Sequence, residues 1–425
     1  MSGVGTDSAS DADTQIRASK VTEAGQSDLT LPTPAAAPPH GLGLSEFALA
    51  LGGFAIGTAE FAAMGLLPDV ASDLHVSVPQ AGHMISAYAL GVVVGAPLIT
   101  VVFARVPRRA LLIVLMLLYA IGNGATSLSH NYTLTILSRF IAGLPHGAYF
   151  GLAALAAASL VPPNKRGVAI AKVMLGLSVA NVIGVPAATW LGQLLGWQSC
   201  FAAVAVIAAI TAGLIAYALP ALPKPAHASP LSELGALRRP QVLLTLLASA
   251  VGFGGVFSAY TYAASTLTHV TGLAPHEVPW VLAVIGVGMV LGNIVCGWLA
   301  DRWLKQTMIG MYAFSALILI GYVFAAPYLW AIVPMLFGVG IGSALTPAFQ
   351  SRLMDVAQDA QALAAALNHS AFNVANAAGA WLGGLVIAAG WGWQSTGGVG
   401  ALLAISGIGV LAVSFVLEKR KTANA

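Results

Sequence analysis

Glu60 is the residue in this sequence with the clearest chemical potential. It sits deep in the apolar run 44–67, LSEFALALGGFAIGTAEFAAMGLL, while Glu46 stands at the entrance, within reach of water or headgroups. An ionised carboxylate held at mid-membrane depth costs about 2.5–3.5 kcal/mol on insertion scales, so one is expected only where something pairs with it or uses it. The chemistry open to it is to take up and release a proton. A second apolar run, 133–159, contains Arg139, and Arg139, Gly143, His146 and Gly147 follow a helical spacing that puts them on one face. His146 then points where Arg139 points and is a second group able to handle protons near neutral pH, or a neutral histidine bonded to a backbone group. Three more sets stand out. Asn181, Gly184, Pro186 and Gly192 share one run; Asn368, His369, Asn373 and Asn376 share another, the last three on one face; Tyr88, Tyr260, Tyr262 and Trp190 are aromatic candidates for a cavity wall.

The elements that must position these residues are membrane helices. The chain has 425 residues, 58% hydrophobic and 8% charged, with mean hydropathy +0.85. A soluble domain carries about a quarter charged residues, so this is an integral membrane protein. Twelve runs are long enough to span: 44–67, 81–103, 110–128, 133–159, 168–192, 200–219, 242–264, 278–300, 308–326, 329–350, 362–388 and 397–417. Connections are short except for the Pro-rich stretch 220–241, which divides six runs from six. Residues 1–42 are acidic, then Pro/Ala-rich, and read as a disordered tail rather than a secretory leader. Cys200 and Cys296 lie within apolar runs and read as small buried side chains.

Lys and Arg side the topology. Arg105, Arg108, Arg109, Lys165, Arg166, Lys172, Lys224, Arg238, Arg239, Arg302, Lys305, Arg352 and the C-terminal Lys419, Arg420 and Lys421 all fall on one side, which places both termini in the cytoplasm. The first run therefore leads outward and the fourth inward. Glu60 and Arg139 are each about seven residues from the outer boundary, roughly 10 Å deep at 1.5 Å per residue. Matched depth permits either a proton-carrying pair or a static ion pair that fixes helix packing. The polar face of the eleventh run must meet partners or water, either a substrate or neighbouring helices.

The chain also repeats itself. GVVVGAPLITVVFAR (91–105) matches GVGMVLGNIVCGWLADR (286–302) with Gly95 on Gly292 and Arg105 on Arg302, and GWQS occurs at 196–199 and 392–395. Two parallel six-helix halves are one transporter architecture, with the substrate site between the halves near the midplane.

FAIGTAEFAAMGLLPDVASDL (54–74), AGHMISAYALGVVVGAP (81–97), RFIAGLPHGAYFG (139–151) and VANVIGVPAATWLGQLLGWQSCF (179–201), in that order, resemble the signatures of the major facilitator superfamily. The likeness is to its twelve-helix drug:proton antiporter branch and, within it, to bacterial arabinose-efflux permeases and sugar and chloramphenicol exporters. The resemblance covers about 43–417. It implies export of a small molecule against inward proton movement, with Gly184 and Pro186 setting how the fifth helix bends. It also implies that the acids and bases of the 2–3 and 8–9 connections join the halves at the cytoplasmic side. The second copy keeps Gly297 and Asp301–Arg302, whereas Ala104 stands where the first copy's acid is expected.

The expectation is an all-α integral membrane protein with twelve transmembrane helices in two pseudo-symmetric six-helix bundles, 43–220 and 242–417. These are flanked by a cytoplasmic tail (1–42), joined by a linker (221–241) and followed by a short tail (418–425). It is expected to be a proton-coupled exporter in a bacterial cytoplasmic membrane and not an enzyme. It should be a monomer in contact with membrane lipid, without nucleic acid, and should need no cofactor beyond the proton gradient. Glu60, Arg139 and His146 are the proton-coupling set. Tyr88, Asn181, Tyr260, Asn368, His369 and Asn373 are the substrate-binding set. Arg105, Arg108, Arg109, Gly184, Pro186, Gly292, Asp301 and Arg302 are the gating set. The rivals are a proton-symporting importer and a membrane sensor that keeps the fold without flux.

Overall fold

The computed structural model describes residues 41–103, 105–162, 165–222, 239–357 and 361–423. Ala104, Lys224, Arg238, most of the N-terminal tail and most of the central linker lie outside the described residues. The elements are helices, with no strand among the described residues.

Apolar runs of spanning length leave the backbone only one way to satisfy its amides in lipid, and each becomes a helix. They are α1 (Leu42–Gly65), α2 (Val78–Thr100), α3 (Arg108–Ser127), α4 (Tyr132–Ser159), α5 (Val168–Leu195), α6 (Gln198–Ala218) and α7 (Pro240–His269). A continuous helix, Pro275–Ala325, follows, then α10 (Leu329–Ala357), α11 (Leu367–Ala388) and α12 (Ser395–Arg420). The continuous helix makes two passes. Its backbone leaves helical geometry only at Trp303 (φ −139°, ψ 57°), which separates α8 (275–302) from α9 (304–325). The sequence predicts an irregular connection over 301–307, yet those residues (DRWLKQT) hold neither Gly nor Pro, and the turn needs only one broken residue.

Other passes break where the sequence suggests a single rod. α4 breaks at Leu144–Pro145, α7 at Phe253 and Tyr262, and α10 at Ser343–Leu345. In α5, Ala180–Gly184 form one wide π turn, with the Val185 amide donating to the Ala180 carbonyl. Pro186 has no amide hydrogen to continue the ladder, and the extra residue of the π turn takes up the mismatch.

The chain forms two pseudo-symmetric six-helix bundles, α1–α6 and α7–α12. In the first, α2 packs on α4 through Gly91 against the Phe140 carbonyl and Gly95 against Leu144. In the second, α8 packs on α10 through Gly288 against the Phe337 carbonyl and Gly292 against Ile341 and Ala344. The two sets are 197 residues apart in sequence, so the repeat in the letters is a repeat in the packing. Gly292, placed in the gating set, holds this helix contact.

An even number of passes puts both ends of the chain on one face, here termed the terminal face; the other is the distal face. Near the distal face the two bundles share one continuous apolar core, running from Phe61–Leu67 and Trp197–Phe201 to Phe257–Leu267 and Leu282. There the space beside Gly65 is filled by Leu282, the Tyr262 hydroxyl packs against Gly82 and Gly384, and Gln193 Nε2 donates to the Pro275 carbonyl (2.9 Å). Lower in the first bundle lies a separate apolar core.

Candidate functional site

Glu60 is 4% exposed, on the side of α1 that faces the other bundle. Its Oε1 accepts a hydrogen bond from Asn376 Nδ2 of α11 at 3.2 Å, a contact between residues 316 apart. Asn376 itself is fully buried, and its Oδ1 has no partner among the described residues.

Arg139 is fully buried on α4. It does not form a direct ion pair with Glu60. Its Nη2 donates to the carbonyl of Ala59, the neighbour of Glu60 (3.3 Å), and its Nη1 reaches Asn123 Oδ1 of α3 (3.5 Å). The guanidinium lies over the rings of Tyr88 (4.3 Å) and Phe201 (4.9 Å). A planar, delocalised cation suits this arrangement, since it can stack on two rings and still direct N–H groups in its plane. The carboxylate and the guanidinium thus share one buried neighbourhood without neutralising each other by contact.

Tyr88 extends the cluster. Its hydroxyl lies 3.2 Å from that of Tyr119 on α3 and 3.0 Å from His146 Nδ1 on α4, while Tyr119 donates to the Ile56 carbonyl of α1 (3.3 Å). His146 faces His369 of α11 across the bundle divide, ring centroids 6.5 Å apart, and Phe150 stacks on His369 at 5.6 Å. The structure therefore brings Glu60, Arg139, Tyr88, His146 and His369 into one continuous group. Tyr260 joins from α7 by stacking on Phe61, next to Glu60 (5.6 Å).

Of the other predicted residues, Asn373 lies one turn from Asn376 on α11 and the rest sit apart. Asn181 lies on the π turn of α5, its Nδ2 donating to the Leu177 carbonyl, and Gly286 of α8 packs on its backbone. Gly184, on the same turn, packs on Thr58 of α1, and Pro186 starts the next helical segment. Asn368 bonds Gln350 of α10 (2.9 Å), inside the second bundle. Asn373 Nδ2 donates to the His369 carbonyl, which leaves its Oδ1 unpartnered. Trp190 is 53% exposed on the outer surface of α5, because that face of the helix has no neighbour, and it lines no internal wall. Tyr262 belongs to the distal seal, donating to the Ala380 carbonyl.

The basic residues of the gating set have no described hydrogen bond or ion pair to the other bundle. Arg105 is exposed and Arg108 half-buried. Arg109 donates to the Ala216 carbonyl of α6. Arg302 donates to the Trp298 carbonyl and lies over that indole (4.1 Å), and Asp301 is exposed beside it.

Sequence reasoning missed three ion pairs, built on two acids. Glu46, read as open to water, is buried and takes Lys172 Nζ at 2.7 Å. Glu418, assigned to the tail, bridges Arg352 (3.0 Å) and Lys305 (2.7 Å), with Gln241 and Ser414 completing the cluster. The signal available was an acid at a helix end beside bases on distant helices, which one sequence does not connect.

Comparison with known proteins agrees with this architecture. The family model "Major Facilitator Superfamily" matches residues 49–270 and 257–425. The "Inner membrane transport protein YdhP" of Escherichia coli (strain K12) is 41% identical over 374 residues, 88% of this chain and 96% of its own. A "Chloramphenicol resistance protein" of Streptomyces lividans is 35% identical, covering 79% of this chain and 87% of its own. Among solved structures, a D-xylose–proton symporter superposes with TM-score 0.69 at 15% identity, over 86% of this chain and 96% of that one, a likeness of fold. With twelve passes in two repeated bundles and relatives matched nearly end to end, this chain belongs to the major facilitator superfamily and is a multi-pass membrane transporter.

Proposed function

We propose that the protein is a proton-coupled exporter of a small organic molecule, working by alternating access with Glu60 as the proton carrier. The observation that carries this is the placement of Glu60: buried, on the divide between the bundles, bonded to one bundle's partner while sitting in the other. A carboxylate there gains or loses its proton according to which face admits water, and its charge is felt by both moving parts. Arg139 donates to the carbonyl of Ala59, the neighbour of Glu60, and sets a fixed positive charge beside that carrier. His146 and His369 continue the polar path toward the terminal face.

The basic residues flanking the terminal face support a cytoplasmic location for both termini. The YdhP relative, named an inner membrane transport protein, supports the bacterial inner membrane as the location. The chloramphenicol resistance relative supports export, and a cargo that is a drug or a sugar fits a site whose fixed charges are one acid and one base.

The test uses everted vesicles containing the full chain, energised to an acidic interior, with lumenal pH followed as L-arabinose, D-xylose and chloramphenicol are added in turn. Proton release on addition of at least one of them is expected. No release with any of the three would remove the antiport reading.

A further inference from the structure

Asn376 has an unusual pair of connections. One arm of its amide bonds Glu60 across the bundle divide; the other arm, Oδ1, is buried with no partner. Two further hydrogen bonds described between the bundles, Ser86 to the Ala377 carbonyl and Gln193 to the Pro275 carbonyl, end on backbone oxygens that never change protonation. The bond to Glu60 ends on a group that does.

An ionised carboxylate can only accept, so it takes the amide N–H. A protonated carboxyl has an O–H to donate, and that O–H needs an acceptor. Asn376 can meet both conditions. A half-turn of the amide about its terminal torsion, a broad two-fold torsion, exchanges Nδ2 for Oδ1 at Glu60. The bond to Glu60 survives with its direction reversed. What changes is the free arm: an acceptor oxygen while Glu60 is ionised, a donor NH2 once it is protonated.

The charged and titratable groups around Glu60 do not offer the same service. Arg139 of α4 is a donor in either state. The hydroxyl of Tyr88 on α2 is committed to Tyr119 of α3 and His146 of α4, and Tyr119 also bonds the Ile56 carbonyl. Tyr260 of α7 stacks its ring on Phe61, and no hydrogen bond from its hydroxyl to Glu60 is described. Asn373, one turn before Asn376, has its Nδ2 held by the His369 carbonyl and can offer only its oxygen.

We propose that Asn376 is a polarity switch that converts the protonation state of Glu60 into the cargo preference of α11. With Glu60 ionised, the free oxygens of Asn376 and Asn373 hold hydrogen-bond donors of the cargo, O–H or N–H groups. Protonation of Glu60 turns an N–H of Asn376 toward those donors and expels them. Asn376 is a positioning residue for proton transfer and a contact residue for cargo. The proposal rests on Glu60 being the proton carrier.

Infrared difference spectroscopy tests it, on the full chain in nanodiscs carrying ¹⁵N-labelled asparagine, stepped from high to low pH. The wild type is expected to show a protonated-carboxyl band rising together with an isotope-sensitive amide band shift. Glu60→Gln should remove both, and Asn376→Leu, close in shape and unable to hydrogen-bond, should remove the amide shift alone. A carboxyl band lost in Glu60→Gln with no accompanying amide shift in the wild type overturns the switch and leaves the carrier intact. Absence of that carboxyl band overturns both. For whichever of the three compounds releases protons in vesicles, an analogue with its donors methylated should bind about tenfold more weakly to the wild type, the worth of one good hydrogen bond. Equal binding of compound and analogue would overturn the donor assignment.

Discussion

The three residues that concentrate charge and hydroxyl chemistry in the first bundle have apolar counterparts in the second. At the 197-residue offset of the α2–α4 and α8–α10 contacts, Tyr88 and Arg139 correspond to Ile285 and Leu336, and the same offset carries Glu60 to Phe257, all buried. Gly143 packs on the Tyr88 carbonyl as Gly340 packs on that of Ile285, so the slots are alike and only their occupants differ. At these three positions the acid, the base and the hydroxyl thus stand in the first bundle, and α11 meets that group through Asn376 and His369. Glu60→Gln keeps shape and the bond from Asn376 while removing the titration. It is expected to give a normally folded protein, by monodisperse size-exclusion elution, that has lost proton-driven export in vesicles. Arg139→Lys keeps the charge but loses the planar stacking on Tyr88 and Phe201 together with the fork to Ala59 and Asn123. The expected result is about a five- to thirty-fold fall in export rate, in line with a loss of about 1–2 kcal/mol from a desolvated cation–π site. That Glu60 and Arg139 were chemically interesting was legible in the sequence, since charge in an apolar run is conspicuous. That they meet through a backbone carbonyl and aromatic faces was not, because matched depth says nothing about rotation of the helices about their axes.

Helices here are positioned by near-contact of backbones. A Cβ added at Gly286 would lie 2.1 Å from the Asn181 carbonyl oxygen, a backbone atom that cannot swing aside. Gly286→Ala should therefore push α8 from the π turn of α5, at a cost of about 1–3 kcal/mol, measured as earlier thermal unfolding in detergent. The small residues that permit such contacts were visible in the letters, and the pairing of Gly91 and Gly95 with Gly288 and Gly292 followed from the repeat. The join of α8 to α9 at Trp303 was not, because hydropathy marks where a helix enters and leaves the membrane and is silent about how a short polar link is folded. The Arg352–Glu418–Lys305 cluster escaped for a related reason: its members are 66 and 113 residues apart, far beyond any local pattern. Glu418→Gln removes the shared acid and leaves buried Arg352 short of its partner. A loss of about 1.5–3 kcal/mol in stability is expected, with transport by the folded fraction retained.

For the molecule as a whole, the bundles share one apolar core near the distal face, and the proposed alternating access requires that contact to part. Cysteines at positions 193 and 275, where Gln193 reaches the Pro275 carbonyl, should cross-link under mild oxidant and stop transport, with activity returning on reduction. Cross-linking without loss of transport would mean that this seam stays shut throughout the cycle. The native Cys200 and Cys296 are both buried and leave such an assay clean. Leu282 against Gly65 and the Tyr262 hydroxyl between Gly82 and Gly384 close that seam by fit, beside the neutral Gln193 hydrogen bond and with no ion pair described across it. Counter-ions have little to screen in such a closure. The frequency with which it swings open should hold steady as the medium bathing the distal face passes from fresh to saline.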